Sequence, residues 1–163
     1  MAYFPLFMDM SRQRVLIVGG GSVALRRIRV LEEFGAEIVV AAKDAGEEIV
    51  RMAAEGRLAL IQGAYQDCRA QALGKAPFFL VLAASGDEEA DAMAEADGRG
   101  MGALVNVAGD RSRCDFYFPA IAKKGDITVG ITGQGREHAG TAKAAQAVRE
   151  LLERLQEERN IEG

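Results

Sequence analysis

Residues 15–24 read VLIVGGGSVA. Four apolar residues, three of them β-branched, run into three consecutive glycines. The chain then turns polar and helical. Ser22–Phe34 carries Val23, Ile28, Leu31 and Phe34 at roughly helical spacing, and Gly35 supplies a stop. A strand that ends on glycines and reopens as a helix is a βα turn. Gly19-Gly20-Gly21-Ser22-Val23-Ala24 fits the dinucleotide fingerprint G-x-G-x-x-G/A, with Gly19, Gly21 and Ala24 in the three key places. The first glycine permits the tight turn, the second admits a pyrophosphate close to the backbone, and the small third residue lets helix pack on strand. The anion would sit at the helix N-terminus, where free N–H groups and the helix dipole favour negative charge. The bare alternative is a tight βα turn with no ligand.

The rest of the first two thirds repeats this alternation. Glu37–Ala42 (EIVVAA) reads as a second strand, Glu47–Glu55 as a helix closed by Gly56, and Leu58–Ile61 as a short third strand. A polar stretch follows. Phe78–Ala84 (FFLVLAA) is a continuous apolar run of strand length, which suits a strand buried on both faces of a parallel sheet. Asp87–Gly98 is helical and acidic, and Ala103–Ala108 (ALVNVA) is a further strand. The pattern predicts an α/β fold of Rossmann type, a doubly wound parallel sheet with right-handed crossovers.

The pattern changes after about residue 113. CDFYFPAIAKKGDITVGITGQG (114–135) holds two short β-like runs joined by a turn at Lys124–Gly125–Asp126, a hairpin signal. A glycine-rich loop, Gly133–Gly140, follows. Thr141–Arg159 then reads as an amphipathic helix with Ala144, Val148, Leu151, Leu152 and Leu155 on one face. The predicted organisation is a Rossmann domain over 1–113 and a hairpin-plus-helix region over 114–163. A small apolar hairpin has little core of its own, and pairing with a second subunit is one way to bury it.

Composition excludes some classes. The 163 residues carry a formal net charge of −4, which argues against a general nucleic-acid binder. No apolar run approaches the roughly 18 residues that cross a bilayer, so no membrane partner is expected. MAYFPLFMDM (1–10) is short, lacks a basic start and contains Pro5, so it does not read as a signal peptide. Cys68 and Cys114 lie far apart, and the expectation is a reducing cytoplasm without a disulfide. With one histidine, His138, and no C-x-x-C pair, no metal site is read.

Candidate ligand residues lie where strands end. After the second strand, Asp44 could accept from ribose hydroxyls and favour NAD, whereas Lys43 could tolerate a 2′-phosphate; Asp44 tips the reading to NAD. Ala84-Ser85 ends the fourth strand, and Asn106-Val107 lies near the end of the fifth. An asparagine in an apolar strand needs a partner, either a nicotinamide carboxamide or backbone. Asp110 is a candidate general acid or base, although a loop aspartate is often a turn or cap residue. Arg111, Arg113, Lys123, Lys124 and Arg136 are candidates for meeting an anionic substrate, or else solvated charges. His138 could titrate near neutral pH and contact an anion.

These stretches together resemble a known family. YFPLFMDMSRQRVLIVGGGSVALRRIRVLEEFGAEIVVAA (3–42), FFLVLAASGDEEA (78–90) and VNVAGDRSRCDFYFPAIAKKGDITVGITGQG (105–135) are similar to precorrin-2 dehydrogenase, the N-terminal module of siroheme synthases. The resemblance spans nearly all of residues 3–155. It implies NAD-dependent dehydrogenation of precorrin-2 to sirohydrochlorin, in a homodimer interlocked through the hairpin region. Some members also insert ferrous iron into the product. It assigns Gly19, Gly20, Gly21, Ser22, Val23 and Ala24 to the pyrophosphate loop, and Lys43 and Asp44 to the adenosine end. Ala84, Ser85, Asn106 and Val107 fall near the ribose and nicotinamide. The family commonly places an aspartate, used in dehydrogenation and chelation, three residues after the Asn of VNV. Here that position is Gly109 and Asp110 follows it; either Asp110 substitutes or the group is absent. The glycine loop also lacks the family's usual Ser-Pro, with His138 near the Pro position.

Overall fold

The structure is a computed structural model and describes residues 4–74, 76–133 and 138–161, with side chains of the last segment described over 140–157. Two compact units emerge, Phe7–Phe116 and a smaller one built on Tyr117–Gly163.

In the larger unit the elements run β1 (Arg14–Val18), α1 (Ser22–Glu33), β2 (Glu37–Ala42), α2 (Glu47–Ala54), β3 (Ala59–Gln62), α3 (Tyr65–Leu73), β4 (Leu80–Ala83), α4 (Glu88–Gly100) and β5 (Leu104–Val107). All five strands are parallel, in the order β3-β2-β1-β4-β5. This is the doubly wound sheet that the sequence predicts. Its switch point lies between β1 and β4, where consecutive crossovers depart in opposite directions.

Alternation along the strands splits the core into two layers. Leu16, Val18, Val39, Ala41, Val81 and Val105 face the α3 and α4 side, where Tyr65, Cys68, Ala90 and Ala94 pack against them. The intervening Val15, Ile17, Val40 and Leu82 are also buried, as are Ile28 and Leu31 of α1 and Ile49 and Met52 of α2. Gly98 on α4 is a contact point between helix and sheet. A Cβ there would stand 2.8 Å from Val105 Cγ2 and 3.0 Å from Val81 Cβ.

Helix α3 was not foreseen, because YQDCRAQAL reads as polar. Its buried residues Tyr65, Cys68 and Ala72 do follow helical spacing. Two of its polar side chains are paired: the Tyr65 hydroxyl donates to Asp97 Oδ2 at 2.9 Å, and the Arg69 guanidinium forks onto the same buried carboxylate of α4. Burial and that bond to Asp97 raise the Tyr65 phenol above its ordinary pKa.

Strand β5 is an edge strand without a sixth neighbour. Its outer polar groups are met by the segment just beyond it. Val105 N–H donates to Asp115 Oδ2 at 2.8 Å, and Asp115 N–H donates to Val105 O at 2.8 Å. Val107 N–H donates to Cys114 Sγ at 3.3 Å, and the thiol lies 3.3 Å from Val107 O and 3.1 Å from Asp110 O. Burial pushes the Cys114 thiol pKa up.

The smaller unit holds the predicted hairpin, β6 (Ala120–Lys124) and β7 (Ile127–Ile131), antiparallel with Lys124 opposite Ile127. Gly125 takes φ +58° in the two-residue turn, a conformation that glycine adopts without penalty. Helix α5 (His138–Ile161) packs on this hairpin, and Arg149 Nη2 donates to Ile121 O at 3.1 Å. Two expectations are corrected here. His138 opens the helix instead of lying in a loop. The inward stripe is Ala145 and Leu152, buried, with Val148 half-buried; of the predicted face Val148 and Leu152 turn inward, while Ala144 is exposed and Leu151 and Leu155 remain 45% and 43% exposed. The helix is rotated by about one residue, near 100°, from the orientation that the leucines alone suggest.

Candidate functional site: a βα turn at the switch point

Everything at this site is built from the ends of β1, β2, β4 and β5. Strand β1 ends at Val18, and Gly19 follows at φ +121°. A Cβ on Gly19 would lie 2.2 Å from Ala84 O and 2.7 Å from Ser85 Cα, so the first glycine is folded directly against the end of β4. Gly20 is walled on the other side: a Cβ there would lie 2.4 Å from Asp44 O and 2.7 Å from Ala45 Cα. The turn is bonded on this β2 side, with Gly19 N–H donating to Ala41 O at 2.8 Å and Gly46 N–H to Gly20 O at 3.0 Å. Gly21 differs from both, since a Cβ there would meet nothing within 4 Å.

Helix α1 begins immediately afterwards. Gly21 is its N-cap, no side chain caps it, and its first turn holds no acidic residue. The N–H groups at the start of a helix need an acceptor from outside it, and the helix dipole makes an anion the favourable one. Ala24 is fully buried, which keeps the helix start close to the sheet. Ser22 and Val23 share the first turn. The donor set, its open approach at Gly21 and its place at the switch point fit a dinucleotide pyrophosphate.

Lys43 and Asp44 are exposed just beyond β2, and the Asp44 backbone is what closes on Gly20. Ala84 is buried and Ser85 exposed beyond β4. Ser85 is fixed from below: its N–H and its Oγ lie 3.0 Å and 2.7 Å from Asp91 Oδ1 on α4. Asn106 pairs in register with Leu82 and is only 4% exposed. Its Nδ2 donates to Phe116 O at 2.8 Å, while its Oδ1 accepts from no donor in the described residues. The Phe116 carbonyl fixes which way the amide faces, leaving the oxygen as an orphaned acceptor. An unpaired buried carbonyl costs about 1–3 kcal/mol. Of the two partners anticipated for Asn106, backbone takes the amide donor. Val107, next along, is buried and ends β5.

Beyond β5, Gly109 sits in a turn at φ +91°. That conformation disfavours an L-carboxylate residue at this position. Asp110 next to it caps the 3₁₀ turn Arg111–Arg113, its Oδ1 accepting from Ser112 N–H at 2.9 Å and Ser112 Oγ at 2.6 Å. These bonds from Ser112 hold its carboxyl below the usual carboxylate range. Arg111 is exposed. Arg113 is engaged: its Nε donates to Glu95 Oε2 at 2.6 Å, and Arg99 reaches the same carboxylate at 3.0 Å and Asp115 at 3.1 Å.

Lys123 and Lys124 lie on β6 in the smaller unit. There Lys124, Asp126, Leu152 and Leu155 help line a pocket of about 300 Å³. Arg136 lies outside the described residues, as does the side chain of His138. Among the described residues, no three or more His, Cys, Asp or Glu side chains gather where they could hold a metal ion. Among them, too, no helix is long and apolar enough to cross a membrane.

One residue outside the sequence reading shapes this site: Asp91 fixes Ser85. A lone aspartate inside an acidic helix advertises nothing.

Comparison with known proteins agrees with this geometry. The chain is 36% identical over 157 residues to siroheme synthase 1 of Yersinia enterocolitica, covering 95% of this chain and 31% of that protein. It is 34% identical over 149 residues to the probable multifunctional siroheme biosynthesis protein HemA of Ruminiclostridium josui, covering 91% of this chain and 28% of that one. The chain thus spans about three tenths of the length of the curated relatives it matches. Among solved structures, SirC, precorrin-2 dehydrogenase, shares the fold with a TM-score of 0.72 at 23% identity, covering 94% of this chain and 76% of that one. Residues 6–120 match the family described as putative NAD(P)-binding. With the glycine turn, the uncapped helix start and the parallel sheet in place, the chain belongs to that putative NAD(P)-binding family.

Proposed function

We propose that this chain binds NAD and uses it to dehydrogenate precorrin-2 to sirohydrochlorin. The observation that carries the cofactor half is the uncapped start of α1 behind an open Gly21 at the β1/β4 switch point. The substrate half is supported by similarity over nearly the whole chain to proteins named for siroheme synthesis, and by a shared fold with a protein titled precorrin-2 dehydrogenase.

Bound NAD supplies the acceptor for a hydride. The chain supplies position, which is a large term on its own. The backbone of Gly19–Ala24 holds the pyrophosphate. Asp44, with Lys43 beside it, meets the adenosine ribose. Ala84 and Ser85, which wall the Gly19 turn, would border the dinucleotide. Asn106, with its unpartnered Oδ1, and Val107 beside it would hold the nicotinamide end. Strand spacing puts β5 roughly 10 Å across the sheet from β1. Asp110, ionised at neutral pH, takes the accompanying proton and passes it to water. Substrate carboxylates meet Arg111, on the same 3₁₀ turn that Asp110 caps. We place this chemistry in the cytoplasm and in a homodimer, whose contact the exposed Leu151 and Leu155 of α5 support; sedimentation at micromolar concentration reads that out.

Anaerobic incubation with precorrin-2 and NAD tests the whole reading. The expected result is NADH formed in step with the sirohydrochlorin chromophore. NAD binding without NADH formation would leave a non-catalytic binding module. Tight binding of sirohydrochlorin with indifference to NAD would leave a tetrapyrrole carrier.

A further inference from the structure

The glycine turn has two walls, and they are held in different ways. On the β2 side, Gly46 N–H bonds straight to Gly20 O at 3.0 Å and Gly19 N–H to Ala41 O at 2.8 Å, so backbone alone fixes that wall. On the β4 side the wall is Ala84 O and Ser85 Cα, close enough to exclude any side chain from Gly19. The residues after Ala84 leave the sheet, and the next support comes from a side chain. Asp91 is 7% exposed on α4. One of its oxygens, Oδ1, accepts Ser85 N–H at 3.0 Å and lies 2.7 Å from Ser85 Oγ. The same hydroxyl accepts Asp87 N–H at 3.1 Å, and it has one hydrogen to give. Asp87 O lies 3.1 Å from that hydroxyl, and the Asp91 carboxylate at the shorter distance is the better recipient.

We propose that Asp91 is a positioning residue for the dinucleotide: through Ser85 it fixes the β4 wall on which the Gly19 turn folds, and so sets where the α1 N–H groups point. This rests on the reading of that turn as the cofactor site. Asp91 touches no ligand in this account.

The test measures NAD affinity by calorimetry beside thermal melting, in the full chain. Asp91→Ala is expected to weaken NAD binding at least tenfold while still melting cooperatively. Asp91→Asn keeps an acceptor oxygen for Ser85 and is expected to bind within threefold of wild type. Should Asp91→Ala fail to fold, Asp91→Ser carries the same expectation, since its side chain is polar but too short to reach Ser85. Wild-type affinity in a folded Asp91→Ala or Asp91→Ser variant overturns the proposal. So does an Asp91→Asn variant as weak as Asp91→Ala, or a loss of affinity seen only where cooperative melting is lost. Failure of the wild-type chain to bind NAD would remove the cofactor reading itself, and this inference with it. Undiminished binding in the variants removes the inference alone.

Discussion

Single residues divide at this site into those that build the turn and those that face outward from it. Gly19 and Gly21 occupy equivalent places in a fingerprint, yet only Gly21 opens onto space. Gly21→Val is therefore expected to keep the melting temperature of the wild type and lose at least tenfold in NAD affinity by calorimetry; unchanged affinity would refute the site. Gly19→Val is expected to fail differently, by lowering the melting temperature, because its side chain would run into Ala84 at a φ of +121°. The sequence shows three glycines but not this division of labour, which depends on where β4 and the β2–α2 loop end. Asp110 is engaged by Ser112 as a cap. Asp110→Ala is expected to retain measurable dehydrogenase activity in the coupled NADH assay, since positioning of cofactor and substrate remains. Complete loss with NAD binding intact would make its carboxylate indispensable.

At the scale of elements, β1 to β5 and the helices α1, α2, α4 and α5 follow from runs such as FFLVLAA and from the glycines that end them. Helix α3 was missed because its polarity is resolved only by a partner far along the chain, Asp97 on α4. The rotation of α5 was misjudged for a related reason: heptad-like leucines announce a contact without saying which neighbour makes it. Gly98 is another distant effect. In a helix, Gly→Ala ordinarily gains up to about 1 kcal/mol, but here the added methyl meets the stiff Val105 and Val81. Gly98→Ala is expected to cost about 1–3 kcal/mol in urea unfolding. The link between α4 and the 3₁₀ turn should respond to acid. Burial would raise the Glu95 carboxyl, but hydrogen bonds from Arg113 and Arg99 outweigh it and hold it below its ordinary value. A lowered folded-state pKa gives stability that is present above the unfolded value, ~4.3, and is lost as pH falls through the folded one. Glu95→Gln should lower the neutral part of the stability curve modestly, leave its acid end below about pH 4.3 nearly unchanged and so flatten the limb between them, by denaturant midpoints across pH.

For the molecule as a whole, the resemblance carried by FPLF, GGGSVALRR, VNV and CDFYFPA reached further than periodicity could. Periodicity yields a nucleotide fold; a substrate has no period. The resemblance reached least far at Gly109, where backbone conformation decides whether a carboxylate can stand. One feature of the fold bears on how the molecule behaves in a crowd of its own copies. An edge strand is a template on which another chain can polymerise. The outer rim of β5 is occupied by the carboxylate of Asp115 and the thiol of Cys114, so no backbone N–H of Val105 or Val107 is left to recruit a stranger. Alkylating Cys114, or the pair Cys114→Val and Asp115→Ala, should free that rim, and light scattering on warming should then rise well before the wild-type chain clouds.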